Sequence, residues 1–294
     1  MPAPDRLLRR LEWQVLRPLD GLLHGAHRTV HRGYGVDLAG MRPYVPGDDV
    51  RHIDWNVTAR LDAPYVRLFS EDREVTAWLV LDRSASMRFG PTGMGKDTAA
   101  GELCVSLARL LGRTGNRVGA VLYDGESHDV IPPGHGRRQA LRLAAALTAP
   151  ARQEGTGTTT DLAAMLALVA AVARRRGLVI VVSDFVGELA WTGQLTRLNH
   201  RHEVVVVRVA DPVEHDLPRI GPVIVEDAET GEQLYLDASD PGFGARLRGE
   251  VGAWQAAVEG AMRAAGVRYH VMSTRDDLVE VLLRLVRDSA RRRR

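Results

Sequence analysis

Five short, mostly continuous apolar runs constrain this chain more than anything else in it. They are VTAWLVL (75–81), RVGAVLY (117–123), LVIVVS (178–183), EVVVVRV (203–209) and VRYHVM (267–272). A strand with one wet face alternates apolar and polar side chains. A run apolar at successive positions has to be covered on both faces, as in a parallel sheet between two helical layers. The intervals carry helical periodicity near 98–113, 137–148, 161–175, 187–199 and 241–265, with a last helix near 275–289. This alternation predicts an α/β fold: a doubly wound, mostly parallel sheet flanked by helices, Rossmann-like in layout. The last helix is expected to open on a capping box formed by Thr274 and Asp277 in STRDDL.

Two regions break the alternation. Residues 213–239 contain PVIVEDAETGEQLYLD, whose ETGE turn between alternating runs predicts a hairpin insertion. Residues 1–74 begin with an amphipathic helix carrying Leu7, Leu8, Leu11, Val15 and Leu16 at helical spacing. A stretch punctuated by Gly and Pro follows, expected to form turns and short antiparallel strands. The expected organisation is therefore an N-terminal arm (1–74), an α/β domain (75–290) and a basic tail (291–294).

Composition excludes several function classes. Thirty-nine Lys and Arg against 37 Asp and Glu leave a net charge of +2, with the arginines scattered, so nucleic acid is not an expected partner. The single cysteine, Cys104, lies in an apolar helical pattern and reads as core, without a disulfide framework, which fits a reducing compartment. No run approaches the ~18 apolar residues of a membrane helix, and the N-terminus has acidic residues and no continuous apolar stretch. No stable membrane insertion is expected, and the expected location is cytoplasmic. His24, His27 and His31 are spaced i, i+3, i+7, but Gly25 weakens a helical metal site there.

GPTGMGKDT (90–98) imitates a phosphate-gripping loop, with Gly90, Gly95 and Lys96 at the G-x-x-x-x-G-K positions. Such a loop works when a strand runs straight into the glycine turn and a hydroxyl after the Lys holds magnesium. Here Asp97 follows Lys96, and the strand stops at Asp82, well before Gly90. A flexible loop, with Asp97 or Thr98 capping the next helix, is the preferred reading.

The residues ahead of that loop are more informative. In LDRSASM, Asp82, Ser84 and Ser86 directly follow a buried strand. In a near-extended chain alternate residues point the same way, so one carboxylate and two hydroxyls converge, a donor set suited to a hard cation. Thr160 lies in a threonine cluster (Thr156, Thr158, Thr159) just before a helix, and Asp184 ends the strand VIVVSD. In open α/β sheets, ligands gather outside the carboxyl ends of strands near a switch point. Taken singly, local turn bonding, helix capping and a turn carboxylate account for these residues equally well; their joint order is what points to a site.

Asp-x-Ser-x-Ser, then Thr, then Asp resembles the metal-ion-dependent adhesion site of von Willebrand factor type A domains, over roughly residues 75–290. The resemblance implies a metal set of Asp82, Ser84, Ser86, Thr160 and Asp184, some through water, with Mg2+ as the cofactor and Mn2+ or Ca2+ as alternatives. Which of Thr156, Thr158, Thr159 and Thr160 serves as ligand stays open. The preceding run, MRPYVPGDDVRHIDW (41–55) with Ala59-Arg60 and Tyr65-Val66-Arg67, is similar to the signature of a bacterial family known as domain of unknown function 58. That resemblance implies partnership with a MoxR-type AAA+ ATPase in a chaperone-like or assembly role. Many such proteins have membrane helices ahead of the signature, which this sequence lacks.

The implied function is a non-enzymatic, metal-dependent protein-binding module that captures an Asp or Glu side chain of a partner or client. Two readings apply to the signature itself. In one, Trp55 and Tyr44 are buried anchors, and Arg42, Arg51 and Arg60 pair with Asp48, Asp49 and Asp54. In the other, Arg42, Asp48, Asp49, Arg51, Asp54 and Trp55 form a recognition surface. The alternative class is an enzyme, either an NTPase using the Gly90–Lys96 loop or a metal-dependent hydrolase. Against these, a haloacid-type phosphatase would want Asp where Ser84 stands, and Gly-x-Ser-x-Gly is absent around Ser84 and Ser183.

Overall fold

The valine-rich runs do become strands, because β-branched side chains suit a pleated surface buried on both sides. The structure is a computed structural model. It describes residues 4–17, 19, 37–61, 63–70, 75–90, 95–125, 127–149, 160–214, 221–226 and 231–291. The chain divides into two units, one of Met1–Leu23 with Val75–Arg294 and one of His24–Glu74. The first helix, α1 (Pro4–Leu11, running on through a π turn at Glu12–Leu16), thus groups with the α/β unit and not with the arm. The reason is its apolar stripe: Leu7, Leu8, Leu11, Val15 and Leu16 are all buried. Glu12 bonds Arg109 at 2.8 Å from the neighbouring helix.

The small unit contains β1 (Asp37–Pro43), helix α2 (Trp55–Leu61) and β2 (Tyr65–Ser70), with β1 and β2 antiparallel.

In the larger unit, β3 (Thr76–Asp82) is followed by α3 (Lys96–Arg113), β4 (Arg117–Tyr123), β5 (His128–Gly134), α4 (Gly136–Leu147), α5 (Leu162–Val172) and β6 (Leu178–Ser183). Then come α6 (Thr192–Arg201), β7 (Glu203–Ala210), the hairpin β8 (Pro222–Glu226) and β9 (Gln233–Asp237), α7 (Pro241–Ala264), β10 (Arg268–Ser273) and α8 (Leu278–Arg291). The six-stranded sheet has the order β10-β7-β6-β3-β4-β5. All its pairs are parallel except β4 with β5. Alternate strand residues feed two cores. Leu79, Leu81, Ile180, Val182 and Val207 pack under α1, α3, α4 and α8. Trp78, Val80, Val179, Val181 and Val206 pack under α5, α6 and α7. The fold is α/β, doubly wound and mostly parallel.

Several local expectations are corrected. The edge strand β5 is not among the predicted strands, because Pro132 and Pro133 argue against one; an edge position tolerates them, since one side needs no ladder donors. Helix α3 begins at Lys96 with Gly95 at its N-cap, and Asp97 accepts from Thr98 N (2.6 Å) inside the first turn instead of capping the helix. At α8, Asp277 accepts from Val279 N (2.7 Å), while Thr274 turns away to donate to Asp211 (2.7 Å), so no capping box forms. The expected helix at 187–199 starts as a 3-10 turn, Leu189–Trp191. The predicted hairpin is present as β8 and β9, antiparallel, with Ile224 opposite Tyr235.

Candidate cation site at the carboxyl edge of the sheet

β3 is the first strand of the sheet and pairs with β4 on one side and β6 on the other. The winding reverses there, which makes the carboxyl ends of β3 and β6 the switch-point crevice where open α/β sheets collect ligands. Asp82 is the last residue of β3, and Asp184 directly follows Ser183, the last of β6.

The chain turns sharply after Asp82 and does not stay extended. Ser84 N donates to Asp82 Oδ1 (2.9 Å), and a 3-10 turn covers Ser86–Arg88. The two hydroxyls nevertheless meet, with Ser84 Oγ and Ser86 Oγ 3.0 Å apart. Asp82 and Ser84 are buried and Ser86 is half-buried. Across the strand boundary Ser183 Oγ donates to Asp82 Oδ2 (2.6 Å) and accepts from Phe185 N (3.0 Å). The β6 end therefore positions the β3 carboxylate through a serine that sequence reasoning passed over.

Asp184 is also buried. Its Oδ1 accepts from Val186 N (3.2 Å) and its Oδ2 from the Lys96 ammonium (2.7 Å). Phe185 has φ 58, in the left-handed region that a bulky side chain enters only under constraint. Its ring is fully buried edge-on to Trp191, with centroids 5.1 Å apart, and that packing holds the turn.

Lys96 is the largest departure from the expectations set by the sequence. It belongs to the phosphate-like loop, yet its ammonium is buried against Asp184 and Glu214. Committed to two carboxylates, it is not available to a phosphate. Its only sequence signal was a motif for a different chemistry, and Glu214 had none.

Thr160 directly precedes Asp161, whose side chain accepts from Ala164 N (2.9 Å) and caps α5. Thr156, Thr158 and Thr159 lie outside the described residues, as do His24, His27 and His31.

Among the described residues, the electrostatics leave the buried Asp82 carboxylate without a cation. Burial, and then the like charge of Asp184, push the Asp82 carboxyl up to about 7, against the pull of its serine hydrogen bonds. Asp184 has Lys96; the partners of Asp82 are hydroxyl and amide donors. A buried carboxylate with two adjacent serine hydroxyls is a hard-oxygen set that a dication fits by its chemistry.

Within the small unit, Arg42 donates to Asp48 through both terminal guanidinium nitrogens (2.8 and 2.7 Å), and Asp48 also accepts from Val45 N (3.0 Å). Arg51 pairs with Asp49, holding that carboxyl down at about 2. Asp54 accepts from Asn56 N and Val57 N (3.0 and 3.2 Å) at the start of α2. Trp55 is not the buried anchor that the packing reading expects, since it is 69% exposed. It is the first residue of a helix with no buried residue at all.

The chain matches the family model described as "Protein of unknown function DUF58" over residues 40–254. It is 36% identical over 293 residues to an uncharacterized protein of Mycobacterium tuberculosis, covering 99% of this chain and 91% of that protein. An uncharacterized protein of Mycobacterium bovis matches to the same extent. Among solved structures, BatB from Bacteroides thetaiotaomicron has a TM-score of 0.46 at 11% identity, covering 74% of this chain and 99% of that one. An aerotolerance-related membrane protein from Bacteroides fragilis scores 0.45 at 15% identity (70% and 94%). The SpRpn10 VWA domain scores 0.39 at 11% identity (71% and 94%). The expected cytoplasmic location is corrected by these findings, since structures of similar fold include one described as a membrane protein. Among the described residues no helix is long and apolar enough to cross a membrane. By the extent of the family and relative matches, this chain is a member of the DUF58 family, and its fold is α/β with a mostly parallel six-stranded sheet.

Proposed function

We propose that this protein is a binding module that grips a carboxylate of a partner or client protein through a dication, preferably Mg2+, at the carboxyl ends of β3 and β6. Asp82, Ser84 and Ser86 would hold the ion, with Asp184 and Thr160 completing the set directly or through water. The observation that carries the reading is the buried Asp82, without a cationic partner among the described residues and beside two converging serine hydroxyls. A bound dication supplies a coordination position open to an incoming Asp or Glu. Ser183 and the Ser84 amide orient the Asp82 oxygens, and the Phe185 turn fixes Asp184. Nothing in this reading requires a bond to be made or broken.

The partner that fits the family signature is a MoxR-type AAA+ ATPase. The exposed Trp55, with the ordered Arg42–Asp48 and Arg51–Asp49 pairs, offers a surface of its own for such a protein, because aromatic and arginine side chains dominate binding energy at interfaces.

The test is capture of a purified MoxR-type ATPase from the same organism by immobilised protein, in Mg2+ and in EDTA, for the native chain and Asp82→Ala. Binding in Mg2+ that is lost on chelation and in the variant, with an unchanged circular dichroism spectrum, is the expected result. Capture that survives both treatments rejects metal-dependent gripping.

A further inference from the structure

We infer that Lys96 is the site's own counter-cation, and that it sets how tightly the carboxyl edge of the sheet holds a dication. This rests on the cation-site reading above and adds a residue to it that lies in no part of the Asp-x-Ser-x-Ser, Thr, Asp pattern.

The position of Lys96 is costly in two ways. It is the first residue of α3, where the exposed amides of a helix repel positive charge. It is also 1% exposed, and lysine is almost never so buried unless paired. The compensation is an ion triad. Its ammonium donates to Asp184 Oδ2 (2.7 Å) and to Glu214, and lies 5.8 Å from the centre of the Phe89 ring. These partners come from the end of β6 and from the turn after β7, so one side chain ties three segments of the switch-point crevice together.

The consequence for a metal follows from which oxygens are taken. Both oxygens of Asp184 already have donors, the Val186 amide and the Lys96 ammonium. Asp82 has donors too, but no cation among the described residues. Together Asp82, Asp184 and Glu214 carry three negative charges when ionised, and Lys96 returns one. A dication would sit toward Asp82, Ser84 and Ser86, and the ammonium held on Asp184 would repel it. Lys96 therefore holds the crevice together when no metal is bound, and weakens the metal that does bind.

The experiment is calorimetric titration of Mg2+ into the native chain, Lys96→Met and Asp82→Ala, with melting temperatures in EDTA and in Mg2+. Methionine keeps the length and apolar stem and removes the charge. The expected result is at least tenfold tighter Mg2+ binding by K96M, with a melting temperature that falls in EDTA and recovers in Mg2+. Should K96M fail to fold, the pair E214Q and K96M/E214Q makes the same comparison with one carboxylate fewer beside the ammonium. Equal Mg2+ affinity with and without the ammonium overturns the role of Lys96 and leaves the cation site standing. Mg2+ binding by K96M alone supports the role of Lys96 and overturns metal use by the native chain. No Mg2+ binding by any variant overturns both.

Discussion

Replacing Asp82 by Asn should make the metal-free protein more stable at neutral and alkaline pH, although it removes a residue at the centre of the site. Burial and the charge of Asp184 move this carboxyl from an ordinary 3.8 to about 7. A displacement of about three pH units corresponds to ~4 kcal/mol, at ~1.4 kcal/mol per unit. Asparagine is neutral and of the same shape, but its amide cannot receive the Ser183 hydroxyl and the Ser84 amide as two acceptor oxygens do. A disturbed buried hydrogen bond costs ~1–3 kcal/mol. The net expectation is a gain of ~2 kcal/mol above pH 7. The sign follows from linkage. A carboxyl with a raised folded-state pKa contributes its full stability below its unfolded value, near pH 4, and loses it as pH rises through about 7. The advantage of D82N should therefore grow from pH 4 to pH 7 and then level off. Urea denaturation in EDTA, at several pH values and with the slope m checked for constancy, measures it directly. If D82N is less stable at pH 8 than the native chain by the same amount as at pH 4, Asp82 is not an uncompensated buried charge. The chemistry proposed for the site then has no basis.

Two further outcomes are expected. Leu11→Ala, at a buried position where the first helix joins the core of the larger unit, should cost ~2–5 kcal/mol in the same denaturation assay, because the cavity it leaves lies under packed neighbours. Cys104, whose thiol burial pushes up to about 12, should resist aromatic disulfide reagents at pH 8 until denaturant unfolds the protein, and then react at the rate of a free thiol.

Legibility in the sequence tracked how local each signal was. Four of the five parallel strands stood out because each is largely apolar at consecutive positions, and a short run of that kind is stable only where helices cover both of its faces; β10, at the sheet edge, carries Arg268 and His270 and is mostly half-buried. β5 did not, because its prolines mimic a loop and only an edge position makes them acceptable. Trp55 looked like core because it is large and apolar, but nothing in the sequence says which way a helix beginning at Trp55 faces. The oxygen pattern Asp82, Ser84, Ser86 was visible as a spacing. Its partner Ser183 was not, since an unremarkable serine at a strand end gains meaning only from what stands across from it.

What the chain alone determined was the layering: continuous apolar runs must be covered on both faces, and the stripe of α1 had to find a core. What only the tertiary structure decided was which strands are neighbours, and hence which charges meet. Asp184 and Lys96 are 88 residues apart, and Lys96 and Glu214 are 118 apart. Their pairing depends on the order β7-β6-β3 and on where α3 starts, long-range outcomes that no window of sequence contains. A lysine in a glycine-rich loop carries the same local signal whether it faces a phosphate or two carboxylates, because charge selects its partner by distance and desolvation in the folded state.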